Sequence, residues 1–440
     1  MTAAANAPTG TPEPKASWRQ AVRGNVLAMG LVSLFTDFSS EMMNPLLPVF
    51  IAGLVGTGPE AVATAALVVG VMEGLAETVS ALLKIFSGRL SDRLGKRKPL
   101  VIIGYGLSAL ARPAMALAGG LAQVVVLKCA DRVGKGLRTS PRDALIGDSV
   151  GKEFRGLAFS FHRSMDHLGA VLGPLVAVGI LYLLLGKVIW EGGDVIPMRE
   201  EMRALRWLFA IAIIPGVLAM LTLFFMVGDI APKRSAPEGD ADGKPESVWR
   251  LLPGRFYAFV GVVTLFALGN SSDMFIVLLA KAKFGLGLVY LIALWVGLHI
   301  AKICFSIPGG VLSDRIGRRP VIVLGWTVYA LVYFGFAFSN SLWHFWLLLL
   351  AYGAYYGLTE GAEKALVADF VPSRFRGTAF GIYHSAIGLA MLPASLVFGL
   401  IWKWYGAAAA FGIGAALAAL AAVLLIVLLS VGGRALPAHD

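Results

Sequence analysis

Charge is scarce in this chain. Asp, Glu, Lys and Arg together make up 15% of its 440 residues, where about 25% is usual for a soluble domain. Cysteine is scarcer still. There are two, Cys129 and Cys304, so a disulfide scaffold is excluded, and both fall in apolar segments where they read as buried thiols. Acidic residues are outnumbered, 27 against 38 basic ones. No H-E-x-x-H, Walker A or C-x-x-C pattern occurs, and Gly147-Asp148-Ser149 reads as a coincidence, so the expectation is no enzyme, no cofactor and no ATP drive. What the chain has in abundance is apolar surface. Its hydrophobic fraction is 57%, against about 45–50% by a slightly different residue set for soluble domains. That excess points to an integral membrane protein. The net charge of +11 then reads as topological rather than as a nucleic-acid footprint, because the basic residues sit mainly between apolar segments.

Apolar segments of helix length number twelve, near 24–50, 62–90, 98–120, 121–146, 155–185, 204–228, 254–282, 287–314, 319–339, 342–369, 376–402 and 405–432. Each can cross a hydrocarbon core of about 30 Å. They lack the dyad alternation of a β-barrel strand. Residues 1–20 are rich in Ala, Pro and Thr without a signal-peptide pattern, and read as a disordered cytoplasmic tail. Residues 21–228 and 253–432 are the expected six-helix bundles, 229–252 a polar linker, 433–440 a second tail, and 187–203 a mixed-charge loop. Assigning the termini to the inside puts 21 Lys and Arg in cytoplasmic segments and 7 in outside loops, which fits a multi-pass inner- or plasma-membrane protein with both termini cytoplasmic.

The halves repeat each other. GRLSDRLGKR from Gly88 answers GVLSDRIGRR from Gly310, FRG recurs at Phe154 and Phe375, ALIGD at Ala144 answers ALVAD at Ala365, and SSEM at Ser39 answers SSDM at Ser271. Parallel repeats place a substrate path at their interface, near the bilayer midplane.

These residues resemble the major facilitator superfamily over about residues 20–435. The carrier is the loop signature G-x-L-x-D-R-x-G-[RK]-[RK], present as Gly88, Leu90, Asp92, Arg93, Gly95, Lys96, Arg97 and again as Gly310, Leu312, Asp314, Arg315, Gly317, Arg318, Arg319. The resemblance implies two pseudo-symmetric six-helix bundles and alternating access. It also implies a latch at Asp92 and Asp314, facing the eleventh and fifth helices respectively. Arg132 and Gly136 in the fourth helix are similar to an Arg-and-Gly pattern of the family. Gly169, Gly173 and Pro174 in the fifth resemble its antiporter motif, although Leu175, Val176 and Ala177 replace the usual continuation. Read bottom-up, the two glycines serve close helix packing.

Ionisable residues inside the segments are the functional candidates, since a charge at a helix centre costs about 2.5–3.5 kcal/mol on insertion scales. Asp37 and Glu41, and Glu73 and Glu77, pair at i,i+4 on their helices. All four are the proton-coupling candidates, and the two pairs are expected side by side. Asp131, Lys135, Arg138 and Arg142 make one stripe, with Arg132 adjacent. Arg132, Lys135, Arg138, Arg142, Asp166, Asp273, His299, Glu360, Lys364 and His384 are the substrate-site candidates. Structural ion pairs such as Glu77 with Lys84 or Asp131 with Lys135 are the competing reading. Lys128 and Lys187 read as interfacial snorkellers. The aromatics are scattered and receive no substrate role. A metal could find ligands in His162, Asp166 and His167, or in Met42, Met43 and His299, although such residues on apolar helices usually pack.

The expectation is thus an all-α, twelve-span secondary transporter, working as a monomer in the lipid bilayer and partnered by protons and a small molecule. Efflux of a small organic compound by proton antiport is the leading reading. Proton-coupled uptake of an anionic metabolite or a metal chelate is the second.

Overall fold

The computed structural model describes residues 21–56, 59–186, 199–230, 251–286 and 288–431. These residues fold into helices, and no strand occurs among them. The tails expected at 1–20 and 433–440, most of the 229–252 linker, and Lys187 lie outside the described residues.

The spans follow the apolar runs closely. The first is Asn25–Glu41, continuing after a 3-10 turn as Leu47–Val55; the second is Pro59–Leu94, the third Lys98–Ala114 and the fourth Leu121–Asp148. The fifth is Arg155–Leu185, and the sixth comprises Arg199–Ile211 and Ile213–Met226. The seventh comprises Gly254–Gly269 and Met274–Phe284, followed by Leu288–Ile316, Arg318–Phe338 and Leu342–Phe370 as the eighth to tenth. The eleventh and twelfth form one run, Arg376–Val431, broken where Gly406 takes φ 85°. The sixth span begins inside the stretch read as a charged loop. Its polar first turns pack inward through Ala204, Leu205 and Leu208, so an amphipathic face and not mean hydropathy decides the boundary.

Among the described residues, eight helical stretches are long and apolar enough to cross a membrane by length and composition alone, and one of these, Ser373–Leu428, contains the break at Gly406. The spans outside that set are the second, fourth and tenth. They carry many of the polar and ionisable side chains described below. These polar side chains erode the hydropathy signal in the three spans.

Both bundles close on themselves. The first span packs on the fifth and sixth, the fourth on the second and third; in the other half the eighth packs on the tenth and the twelfth on the seventh and ninth. The halves meet along two pseudo-equivalent seams, second span on eleventh and fifth on eighth. Glycine makes both seams possible. A Cβ on Gly88 would strike the Gly377 carbonyl, and one on Gly156 would strike Ser313 and the Gly310 carbonyl. Gly169 and Gly173 serve another contact, lying against Leu34, Asp37 and Glu41 of the first span. Cys129 is half-buried and Cys304 exposed. The expectation of two buried thiols therefore fails for Cys304, which faces out from its helix.

Candidate functional site

The seams are locked at one end by the repeated loops. Asp92 ends the second span, and its carboxylate accepts from the backbone N–H of Gly377 (3.0 Å) and Thr378 (2.6 Å) and from the Thr378 hydroxyl (2.8 Å). Asp314 accepts from the backbone N–H of Gly156 (2.9 Å) and Leu157 (2.8 Å). Each acid therefore caps the first turn of a helix in the other half, where backbone donors and the helix dipole favour negative charge. Gly95 (φ 61°) and Gly317 (φ 100°) make the turns, in a region that disfavours other residues. Arg93 and Arg315 point out and are exposed.

A second pair of acids reinforces the lock. Asp148 is bridged by Arg97 of its own half at 2.8 Å and by Arg376 of the other. Asp369 is bridged by Arg155 of the other half at 2.6 Å and by Arg318 of its own at 3.4 Å. The two networks are copies, displaced by one repeat. The loop signature limits the expected gate to Gly88, Asp92, Arg93 and Gly95 and their copies Gly310, Asp314, Arg315 and Gly317. Asp148 and Asp369 close the ALIGD and ALVAD repeats, and Arg155 and Arg376 sit in the FRG repeats, so the internal repeat itself carries the signal for them.

Deeper in, charges tie the halves together again. Arg163 of the fifth span grips Glu360 of the tenth with two nitrogens, Nε at 2.9 Å, and donates to Asp166 at 2.5 Å. His167 Nε2 meets the same Glu360 at 3.1 Å, and its Nδ1 lies 3.2 Å from Nδ1 of His299 on the eighth span. Asp143 of the fourth span is fully buried among Arg142 (2.8 Å), Lys364 of the tenth (3.0 Å) and His384 of the eleventh (2.8 Å). Asp166, His299, Glu360, Lys364 and His384 thus converge between the bundles. Arg163, His167 and Asp143 join them.

Other candidates part company. Glu73 and Glu77 pair with the fourth span: Glu73 with Lys128 (2.8 Å) and Arg132 (3.5 Å), Glu77 with Arg132 (3.2 Å) and more loosely Lys135 (3.9 Å). Glu77 therefore does not take Lys84 as its near partner. Asp37 and Glu41 are not beside these glutamates, because their helix packs on the fifth and sixth spans. Asp37 instead faces Asp166, which also accepts from the Ser33 hydroxyl. Glu41 accepts from Asn44 at 3.0 Å. Lys128 is no snorkeller, being buried and also bonded to Asn44 at 3.2 Å.

The basic stripe of the fourth span divides three ways. Lys135 stays with the second span. Arg138 turns to the third, donating to the Ser108 hydroxyl at 2.5 Å and lying 4.4 Å from the Tyr105 ring centroid. Arg142 turns to Asp143. Asp131 bonds Arg112 at 2.9 Å, not Lys135. Side-chain length allows residues on one helical face to diverge to the second span, to the third and to an acid of the same helix. Arg138 and Asp131 are therefore packing groups of the first bundle.

The second bundle holds Asp273, at the break of the seventh span. It accepts from Lys302 (3.0 Å), Tyr352 (2.8 Å) and Tyr356 (3.0 Å), and the Lys302 ammonium lies 3.6 Å from the Tyr356 centroid. A cavity of about 250 Å³ opens beside it, lined in part by Asn270, Trp295 and Tyr356. The aromatics are not scattered here. Tyr329 lies against Tyr333 at 4.2 Å and Tyr355 at 4.9 Å. Their sequence spacing, i and i+4 within the ninth span and i, i+3, i+4 within the tenth, carried the signal.

The sequence model of the major facilitator superfamily matches residues 29–301 and again 292–439. The chain belongs to that superfamily. An uncharacterised superfamily transporter of Methanocaldococcus jannaschii is 33% identical over 86% of this chain and 88% of its own length. The cis,cis-muconate transport protein of Acinetobacter baylyi is 24% identical over 71% of this chain and 74% of its own length. The crystal structure of the human organic anion transporter MFSD10 matches the fold with a TM-score of 0.71 at 16% identity, covering 93% of this chain and all of the other. The chain is thus a multi-pass superfamily transporter of a small solute, built from two bundles of six spans.

Proposed function

We propose that this transporter moves a small organic anion by alternating access and exchanges it for protons. The observation that carries the reading is the cation cluster between the second and fourth spans. Lys84, Lys128, Arg132 and Lys135 stand there against two acids, Glu73 and Glu77. The Lys135 side chain is 40% exposed and holds Glu77 loosely, so it is free to take a carboxylate. Lys84 faces Gly388 across the seam with the eleventh span, which puts a cation at the boundary that must open. That the muconate and organic anion transporters are similar to this chain supports the same class of solute.

Coupling belongs to Asp37 with Asp166. A proton shared between two facing carboxyls relieves their repulsion. Because Arg163 holds both Asp166 and Glu360, a change of charge at Asp166 is passed to the tie between the halves. Glu73 and Glu77 act as partners of the cluster. The protein works as a monomer in the plasma or inner membrane, with the latched side cytoplasmic, a reading that the excess of basic residues in those loops supports.

Flux in proteoliposomes under pH gradients of both signs tests this reading. Lys135→Gln should weaken uptake of a dicarboxylate at least about tenfold and leave a neutral analogue unaffected. Asp37→Asn should abolish gradient-driven flux while retaining exchange between labelled and unlabelled solute. Equal transport of anionic, neutral and cationic solutes, or full gradient-driven flux in Asp37→Asn, would sink the reading.

A further inference from the structure

We propose that His167 and His299 form a binding site for a divalent transition-metal ion of the zinc, nickel or cobalt kind, and that the bound ion pins the two halves together. The histidines come from opposite halves, on the fifth and eighth spans. Their Nδ1 atoms are 3.2 Å apart. Two imidazole nitrogens each about 2.0–2.1 Å from one tetrahedral ion stand about 3.3 Å from each other. The separation of the two nitrogens therefore already matches that of a metal-bound pair.

The surroundings fix the ring orientations. Glu360 holds Nε2 of His167 at 3.1 Å, the carboxylate–histidine arrangement that leaves the other nitrogen as a lone-pair donor. Trp295 lies edge-on to the His299 ring at 5.0 Å between centroids. The Nε2 of His299 is buried without a hydrogen-bond partner. In the metal-free protein the proton on His299 sits at Nδ1 and bonds His167. With metal bound it moves to Nε2, so both His299 tautomers leave Nε2 unpartnered and metal binding adds no new unsatisfied group.

Among the described residues no group of three or more His, Cys, Asp and Glu side chains is placed to hold a metal. The site is accordingly a two-ligand one, completed by water, suited to reversible binding. His162 does not take part, since both its ring nitrogens are buried without partners elsewhere on the fifth span. Because the two ligands belong to different halves, the ion stabilises the state in which the fifth and eighth spans touch. This inference does not depend on the nature of the transported solute.

Thermal unfolding of the full-length protein, purified without a histidine tag, provides the test. Zn²⁺ and Ni²⁺ should raise the unfolding temperature of the wild type, and Mg²⁺ should not. The shift should vanish in His167→Gln and in His299→Gln. Glu360→Gln should keep it, with affinity weaker by about tenfold or more. A shift retained in both histidine variants, or absent from the wild type, overturns the site. Should a histidine variant fail to fold, visible absorption of Co²⁺ bound at one ion per wild-type chain is the deciding measurement, and its absence also overturns the site.

Discussion

At the scale of the residue, the interior pairs its charges along and across helices, and Arg163 ties two acids at once. Its planar fork meets Glu360 with two nitrogens and Asp166 with a third contact. Lysine keeps the charge but cannot reproduce that fork. Arg163→Lys is expected to lower transport at least about tenfold, with protein still present in the membrane, as radiolabelled flux would show. Full flux would mean that the cross-half tie is dispensable. Arg138 makes a contrasting case. It bonds the Gly104 carbonyl and the Ser108 hydroxyl and covers the Tyr105 ring, so Arg138→Ala removes packing and leaves buried acceptors unpaired. A loss of about 1–3 kcal/mol follows, seen as lower unfolding temperature with the same preference among solutes. A change in anion preference without loss of stability would contradict the placement.

Among the elements, the seams depend on the absence of side chains. Gly88 and Gly377 approach backbone to backbone, as do Gly156 and Gly310. A methyl group at Gly377 would meet the Gly88 carbonyl and Asp92. Gly377→Ala therefore disfavours the closed seam without touching the interior charges. Spin labels on the second and eleventh spans should report a longer distance on the latched side, and an unchanged distribution would show that the backbones slide apart freely. The second, fourth and tenth spans tolerate their charges for a related reason. Each charge costs about 2.5–3.5 kcal/mol at a helix centre, offset by a partner on an adjacent helix.

For the molecule as a whole, the repeat makes the lock twofold. Asp92 with Asp148, and Asp314 with Asp369, hold equivalent ends of the two seams. An acid at a helix N-terminus contributes about 0.3–1 kcal/mol, up to about 2 when partly buried. Losing one shifts a balanced two-state equilibrium roughly twofold to thirtyfold. Asp92→Asn should populate the state open on the latched side and slow turnover, with solute affinity in the closed state unchanged. Asp92→Asn combined with Asp314→Asn should shift the equilibrium further, because the two sites are separate. Distances across the second and eleventh spans, measured with turnover in the same variants, check both. Normal turnover with unaltered distances would reduce the loops to topological anchors.

Span number, the repeat and most span limits, the start of the sixth span excepted, were legible in the sequence because they rest on local quantities. Apolar length fixes where a helix can cross, and duplicated motifs keep their offset however the chain packs. The resemblance implied that Asp92 faces the eleventh span and Asp314 the fifth, and both contacts are present. Pairings in the interior were not legible. Asp37 and Glu73 look alike on their own helices, and only the packing of the first span on the fifth sends Asp37 to Asp166. The stripe from Asp131 to Arg142 is continuous on one helix, yet its members separate, Lys135 to the second span, Asp131 and Arg138 to the third and Arg142 to Asp143 of its own helix. Helical periodicity determines which way a side chain leaves its helix. What waits there is decided by the neighbour, and tertiary structure alone supplies that.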